Sequence, residues 1–167
     1  MKHYYTDKAG HALKEAQRAA RELQVTYVGT EHILLGLLRE EGSAAKRVLE
    51  SNGIAEDRFV EMLSELIIPE STIQTMDRDG FSPRAENVLA EAGRTAERFH
   101  AKKIGTEHLL LAMIREGENV AVRLMSTMGI DLQKVYAETL AAMGEDPNLV
   151  REELGHRRNG NGRRRAS

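Results

Sequence analysis

GTEHILLGLLRE occupies residues 29–40, and GTEHLLLAMIRE occupies residues 105–116. The polar tetrad Gly-Thr-Glu-His stands before a run of aliphatics both times. A single copy is within the reach of chance. Two copies at a fixed distance mean either a repeated structural cap or a repeated binding site. Working outward, an offset of 76 aligns residues 5–54 with 81–130 without a gap. Identical pairs include Ala9/Ala85, Leu13/Leu89, Ala16/Ala92, Leu34/Leu110, Arg39/Arg115 and Gly53/Gly129. Most mismatches conserve character, as in Tyr5/Phe81, Thr6/Ser82 and Val28/Ile104. The chain is an internal duplication, and its fold must be two copies of one unit.

Each unit reads as four helices. Thr6 and Ser82 are hydroxyl caps for the first, and Pro83 suits the first helical position of the second copy. An apolar stripe follows at Ala9, Leu13, Ala16, Ala20 and Leu23. The second helix starts at Thr30 or Thr106 and is apolar nearly all round, which predicts the central helix of its unit. Ser43 or Asn119 caps a third helix, and Gly53 or Gly129 stops it. A fourth runs from about residue 56 to 67, and from 131 to 143. The expected architecture is all-α: two four-helix repeats, about eight helices in total, packed about a pseudo-twofold axis as one domain. A unit of some 65 residues is marginal alone, so the halves should share a core. The boundaries are residues 1–145 for the domain, with repeat one at 5–68, a linker at 69–80 and repeat two at 81–144. Residues 146–167 read as a flexible basic tail.

Composition agrees. Aromatics are 4% and tryptophan is absent, so the core must be aliphatic, Ala and Met, which favours helix on helix. With no cysteine there is no disulfide and no thiolate metal site, and the expected setting is a reducing cytoplasm. No apolar run approaches the roughly 20 residues that span a bilayer, so no membrane association is expected. The net charge of −2 hides an asymmetry. Residues 151–167 carry six arginines against two glutamates, leaving 18 bases and 24 acids in the rest. An acidic body argues against nucleic acid as a partner. No Gly-Lys dipeptide and hence no Walker A loop occurs, and HExxH is absent, so no catalysis, metal or other cofactor is expected. The histidines His32 and His108 read as packed or capping groups.

From composition and spacing alone, the tetrad is best read as a cap. Thr30 would accept an amide of its own helix's first turn, and Glu31 would favour the positive end of the helix dipole by roughly 0.3–1 kcal/mol. Yet Glu31 also sits on a rigid central helix. If the start of the first helix lies near the start of the second, Thr6 falls beside Glu31, and Ser82 beside Glu107.

The capped Ala-rich helix, the tetrad with its aliphatics, and Arg-Val-Leu or Arg-Leu-Met before Gly-Ile, all twice over, resemble the Clp N-terminal repeat family over about residues 3–145. Within that family the pattern is most similar to the N-terminal domains of ClpC-type unfoldases. The resemblance implies a non-catalytic docking domain on an AAA+ unfoldase that feeds the ClpP protease. It implies MecA-type adaptors and arginine-phosphorylated proteins as partners. It implies one phosphoarginine pocket per repeat, with Glu31 and Thr6 in one and Glu107 and Ser82 in the other. The glutamate would grip the guanidinium, and the capped helix start would take the phosphoryl group. The isolated domain is expected to be monomeric. Two other readings stay open: a free-standing Clp-repeat adaptor or decoy, and a helical nucleic-acid binder using the arginine tail.

Overall fold

Two hydroxyls start the two halves of the molecule. The structure, a computed structural model, describes residues 4–66 and 80–155. Thr6 accepts the Ala9 amide at 3.1 Å and opens α1 (Asp7–Glu22). Ser82 accepts the Ala85 amide at 3.1 Å and opens α5 (Pro83–Arg98). Each satisfies one of the amides that a helix start leaves without an intrahelical partner. The second helices are α2 (Thr30–Arg39) and α6 (Thr106–Glu116). Every residue from Thr30 to Leu38 is buried, so α2 is the central helix its composition predicts. α3 (Ala44–Ser51) and α7 (Val120–Thr127) are capped by Ser43 and Asn119. Gly53 and Gly129 follow them at φ 86° and 82°, the left-handed stop that glycine supplies without a Cβ penalty. α4 (Glu56–Ser64) and α8 (Leu132–Ala142) complete the units. α4 ends before residue 67, where the sequence placed its end.

Within a repeat the first two helices run in opposite senses. Lys8 Nζ, near the start of α1, donates to the Glu41 carbonyl beyond the end of α2, and His11 bonds Glu40. The contact face of α1 is alanine: Ala9, Ala12, Ala16, Ala19 and Ala20 are buried. Gly36 completes the close approach, because a Cβ there would fall 2.0 Å from the Ala12 carbonyl oxygen.

The repeats are joined through their backbones. β1 (Tyr27–Val28) pairs in parallel with β2 (Gly80–Phe81), and Ser82 N–H donates to the Val28 carbonyl at 2.8 Å. The same contact recurs with the repeats exchanged: Tyr5 bridges Ile104, and Thr6 N–H donates to the Ile104 carbonyl at 2.9 Å. Under the 76-residue offset, Tyr5 matches Phe81 and Ile104 matches Val28, so these are one contact made twice about a pseudo-twofold axis. These short extended pairs were absent from the sequence reading, since two residues carry no alternation to detect. One apolar cluster runs through both halves, from Ala9 to Leu140. Met113 and Met125 lie fully inside it, as core methionines should.

The linker and the tail fall only in part on described residues. The linker read at 69–80 lies outside the described residues except for Gly80, which belongs to β2. The tail read as flexible from 146 takes helical turns in its described part, up to Gly155. Pro147–Leu149 form a 3-10 turn capped by Asp146, and Arg151–Gly155 a π-helical turn. Glu153 anchors this segment, accepting Tyr136 Oη at 2.6 Å, Arg98 at 2.6 Å and Arg115 at 3.2 Å. Burial opposes the Glu153 charge, but these partners outweigh it and hold the carboxyl below its usual range. Counting arginines as solvated charge missed this because the anchoring residue is the acid among them. Residues 156–167 lie outside the described set.

Candidate functional site: the paired Gly-Thr-Glu-His corners

Each tetrad residue has a separate task. Glycine is the N-cap at 29 and 105, with an ordinary extended backbone (φ −97° and −100°). What requires glycine is space. The Glu31 side chain folds back over Gly29, so that a Cβ there would meet Oε1 at 2.5 Å; at Gly105 the Glu107 carboxylate comes to 2.7 Å. Histidine closes the turn. His32 Nδ1 accepts the Gly29 amide at 2.9 Å, and His108 Nδ1 accepts that of Gly105 at 2.8 Å. An accepting Nδ1 is unprotonated, which fixes the neutral ring with its proton on Nε2. Burial drives the same way: it depresses the His32 pKa to about 4 and lowers that of His108.

The threonine is where expectation and structure part. Thr30 does not cap its own helix. Its Oγ1 accepts the Ala121 amide at 3.1 Å, in the first turn of α7 in the other repeat. Thr106 reaches the Ala45 amide of α3 at 3.5 Å. The tetrad therefore caps, but across the twofold, and a sequence spacing cannot reveal which helix start a hydroxyl serves.

The pairing of glutamates with helix starts is also exchanged. Because α1 runs antiparallel to α2, Thr6 lies at the far end of α2 from Glu31. The backbone instead sets Thr6 against Ile104, next to Gly105 and its Glu107. Ser82 is set against Val28, next to Gly29 and its Glu31. The backbone contacts therefore relate each helix start named from sequence to the corner of the other repeat: Thr6 to the strand end before Gly105, and Ser82 to the strand end before Gly29.

The two corners differ in finish. Glu31 is 2% exposed, and Tyr27 Oη donates to its Oε2 at 3.3 Å. Burial raises the Glu31 pKa, opposed by its own backbone amide and by Tyr27. Burial, with Glu31 beside it, raises the Tyr27 pKa as well. The Tyr27 ring stands edge-on to His32, with centroids 5.7 Å apart. Glu107 is only half-buried. A cavity of about 380 Å³ reaches Glu31 from the first-repeat side, between Leu23, Val25, Tyr27 and Leu63. Ser82 is not in its wall. Among the described residues no group of three or more His, Asp or Glu could hold a metal ion, and no helix is long and apolar enough to cross a membrane.

A doubled all-α domain with two symmetry-related carboxylate corners is the class that fold and site define. The Clp repeat (R) N-terminal domain family matches residues 4–128 and again 80–156, and the chain belongs to that family. The chain is 36% identical over 140 residues to the ATP-dependent Clp protease ATP-binding subunit ClpC of Staphylococcus aureus, covering 83% of this chain and 17% of that protein. It is equally similar over 139 residues to the ClpC of Staphylococcus epidermidis. It thus spans about a sixth of the length of these curated relatives. Among solved structures, the N-terminal domain of the Arabidopsis thaliana chaperone ClpD superposes with a TM-score of 0.73 at 21% identity, covering 84% of this chain and 94% of that one. The Candida albicans Hsp104 N-terminal domain gives 0.67 at 15% identity, covering 86% and 97%. These two likenesses establish the fold.

Proposed function

We propose that this domain is the recognition module of a ClpC-type protein unfoldase and that it binds arginine-phosphorylated proteins without catalysing any reaction. One observation supports the reading: each tetrad carboxylate folds over a glycine, and the residue before that glycine accepts the backbone N–H of the hydroxyl cap of the other repeat's first helix. Phosphoarginine is bipolar, a cationic guanidinium joined directly to an anionic phosphoryl group. A helix start alone accepts any phosphate, and a carboxylate alone accepts any arginine or lysine. Side by side they select the ligand that carries both charges, and the carboxylate repels phosphoserine. Glu107 and Glu31 would hold the guanidinium, and the α1 and α5 starts at Thr6 and Ser82 the phosphoryl group.

The curated relatives are named as ATP-binding subunits of a Clp protease. In such a protein this domain would receive substrates, and adaptors of the MecA type, for unfolding and delivery to ClpP. The test is binding of an arginine-phosphorylated protein to the 167-residue chain. Glu31→Ala with Glu107→Ala should abolish it while leaving the helical circular dichroism intact, and a serine-phosphorylated control should not bind. Undiminished binding by a folded double variant would end the assignment.

A further inference from the structure

We propose that the two corners are unequal receptors: the Thr6–Glu107 pocket is open, and the Ser82–Glu31 pocket is latched by Tyr27. The inference rests on the phosphoarginine reading above and adds to it an order of occupancy and the residue that sets it.

Four observations point the same way. First, Tyr27 Oη occupies Glu31 Oε2 at 3.3 Å. Under the 76-residue offset the position of Tyr27 is taken in the second repeat by Lys103, which is exposed. A guanidinium that engages both oxygens of Glu31 must compete with a buried tyrosine hydroxyl at Oε2, whereas a lysine, not a tyrosine, stands at the matching position in the second repeat. Second, the anchor of the latch is firm. Tyr27 is 4% exposed, and its backbone is paired with Gly80 in the β1–β2 contact. Third, the anion-binding halves differ. Thr6 is half-buried and Ser82 is buried. Asp7 offers an N–H in the first turn of α1, whereas its counterpart Pro83 has none to offer, so the α5 start presents one donor fewer. Each first turn also carries one acid, Asp7 or Glu86, so side-chain charge does not separate the two. Fourth, the cavity that reaches Glu31 lies beside Leu23 and Leu63, and its described wall does not contain the α5 start. A ligand entering there meets the carboxylate without the phosphoryl half of the site.

Calorimetric titration of free phosphoarginine into the full 167-residue chain reads the difference directly. Wild type should show one tight site per chain. Glu107→Gln should weaken that site about 10- to 100-fold, the loss of a charge-assisted contact. Tyr27→Phe should strengthen the second site about two- to tenfold, the release of one hydroxyl contact. Glu31→Gln added to Tyr27→Phe should remove that gain. Tyr27→Ser, which also removes the ring, should open the site further, with circular dichroism confirming that both tyrosine variants remain folded. Two sites of equal affinity in wild type, or a second site indifferent to both tyrosine variants, would overturn the inference and leave the phosphoarginine reading standing. Absence of binding in wild type and in both tyrosine variants would overturn both.

Discussion

The Thr30 hydroxyl of the first repeat accepts the Ala121 amide of the second at 3.1 Å, across 91 residues of chain. A residue that looks like the cap of its own helix is the cap of its neighbour's. The relation recurs with the repeats exchanged, as Thr106 reaches the Ala45 amide of α3.

Thr30→Val keeps the shape and deletes the acceptor. It strands a buried amide, and the loss of a cap costs about 1 kcal/mol. For a domain of this size that corresponds to a fall of roughly 2–4 °C in Tm. The Thr106 contact is longer, at 3.5 Å, so Thr106→Val should cost less. No loss for either variant by calorimetric melting would show that these hydroxyls do not tie the repeats together.

Gly29→Ala and Gly105→Ala separate the site from the scaffold. The new methyl meets the end of a flexible glutamate, which can swing away, rather than fixed backbone. Stability should therefore fall only about 0.5–1 kcal/mol, the difference between glycine and alanine as an N-cap. The carboxylate is displaced from its seat, and phosphoarginine affinity should drop with it. Retained affinity would mean that the folded-back glutamate is not the binding form.

Gly36→Ala tests the helix packing instead. Here the methyl meets the Ala12 carbonyl oxygen at 2.0 Å, and neither backbone can yield cheaply. Overpacking of this kind costs about 1–3 kcal/mol, which outweighs alanine's helix advantage of about 1 kcal/mol over glycine. Equilibrium denaturation should show net destabilisation. A more stable variant would contradict the close α1–α2 contact.

Acid should loosen the corners. His32 has a folded pKa of about 4 against an ordinary value near 6.5, so between those values the unfolded chain binds more protons. Stability then rises with pH across that window and is lost on acidification, on the order of 3 kcal/mol if His32 acts alone. Glu31 acts in the opposite sense, since its raised pKa makes proton uptake on acidification favour the fold. The His32 contribution is isolated by comparison: His32→Ala should flatten the fall in Tm between pH 6.5 and 4.5. An unchanged slope would show that His32 is not held neutral.

The legible part of this fold was the part written twice. Helix starts at Thr6, Ser82, Ser43 and Asn119 were readable because a hydroxyl or amide side chain before a helical stripe has one local use. The burial of α2 was readable from Leu34, Leu35, Leu37 and Leu38. What local pattern could not supply was the partner. Nothing in the spacing distinguishes Thr30 serving its own first turn from Thr30 serving Ala121. Nor does it show that antiparallel packing carries Thr6 away from Glu31 and toward Ile104. The four candidate residues could be singled out in the sequence; which helix start faces which corner follows from the pseudo-twofold axis. Traces of inequality stand in the offset alignment, with Tyr27 opposite Lys103 and Asp7 opposite Pro83.

The cross-repeat pairing is tested most directly by a double-mutant cycle on phosphoarginine affinity, with Thr6→Val and Glu107→Gln as one cycle and Thr6→Val and Glu31→Gln as the other. Groups that hold one ligand should couple by about 0.5–3 kcal/mol, and groups in separate pockets should add. Thr6 should couple with Glu107 and be additive with Glu31. Coupling of Thr6 with Glu31 and additivity with Glu107 would contradict it.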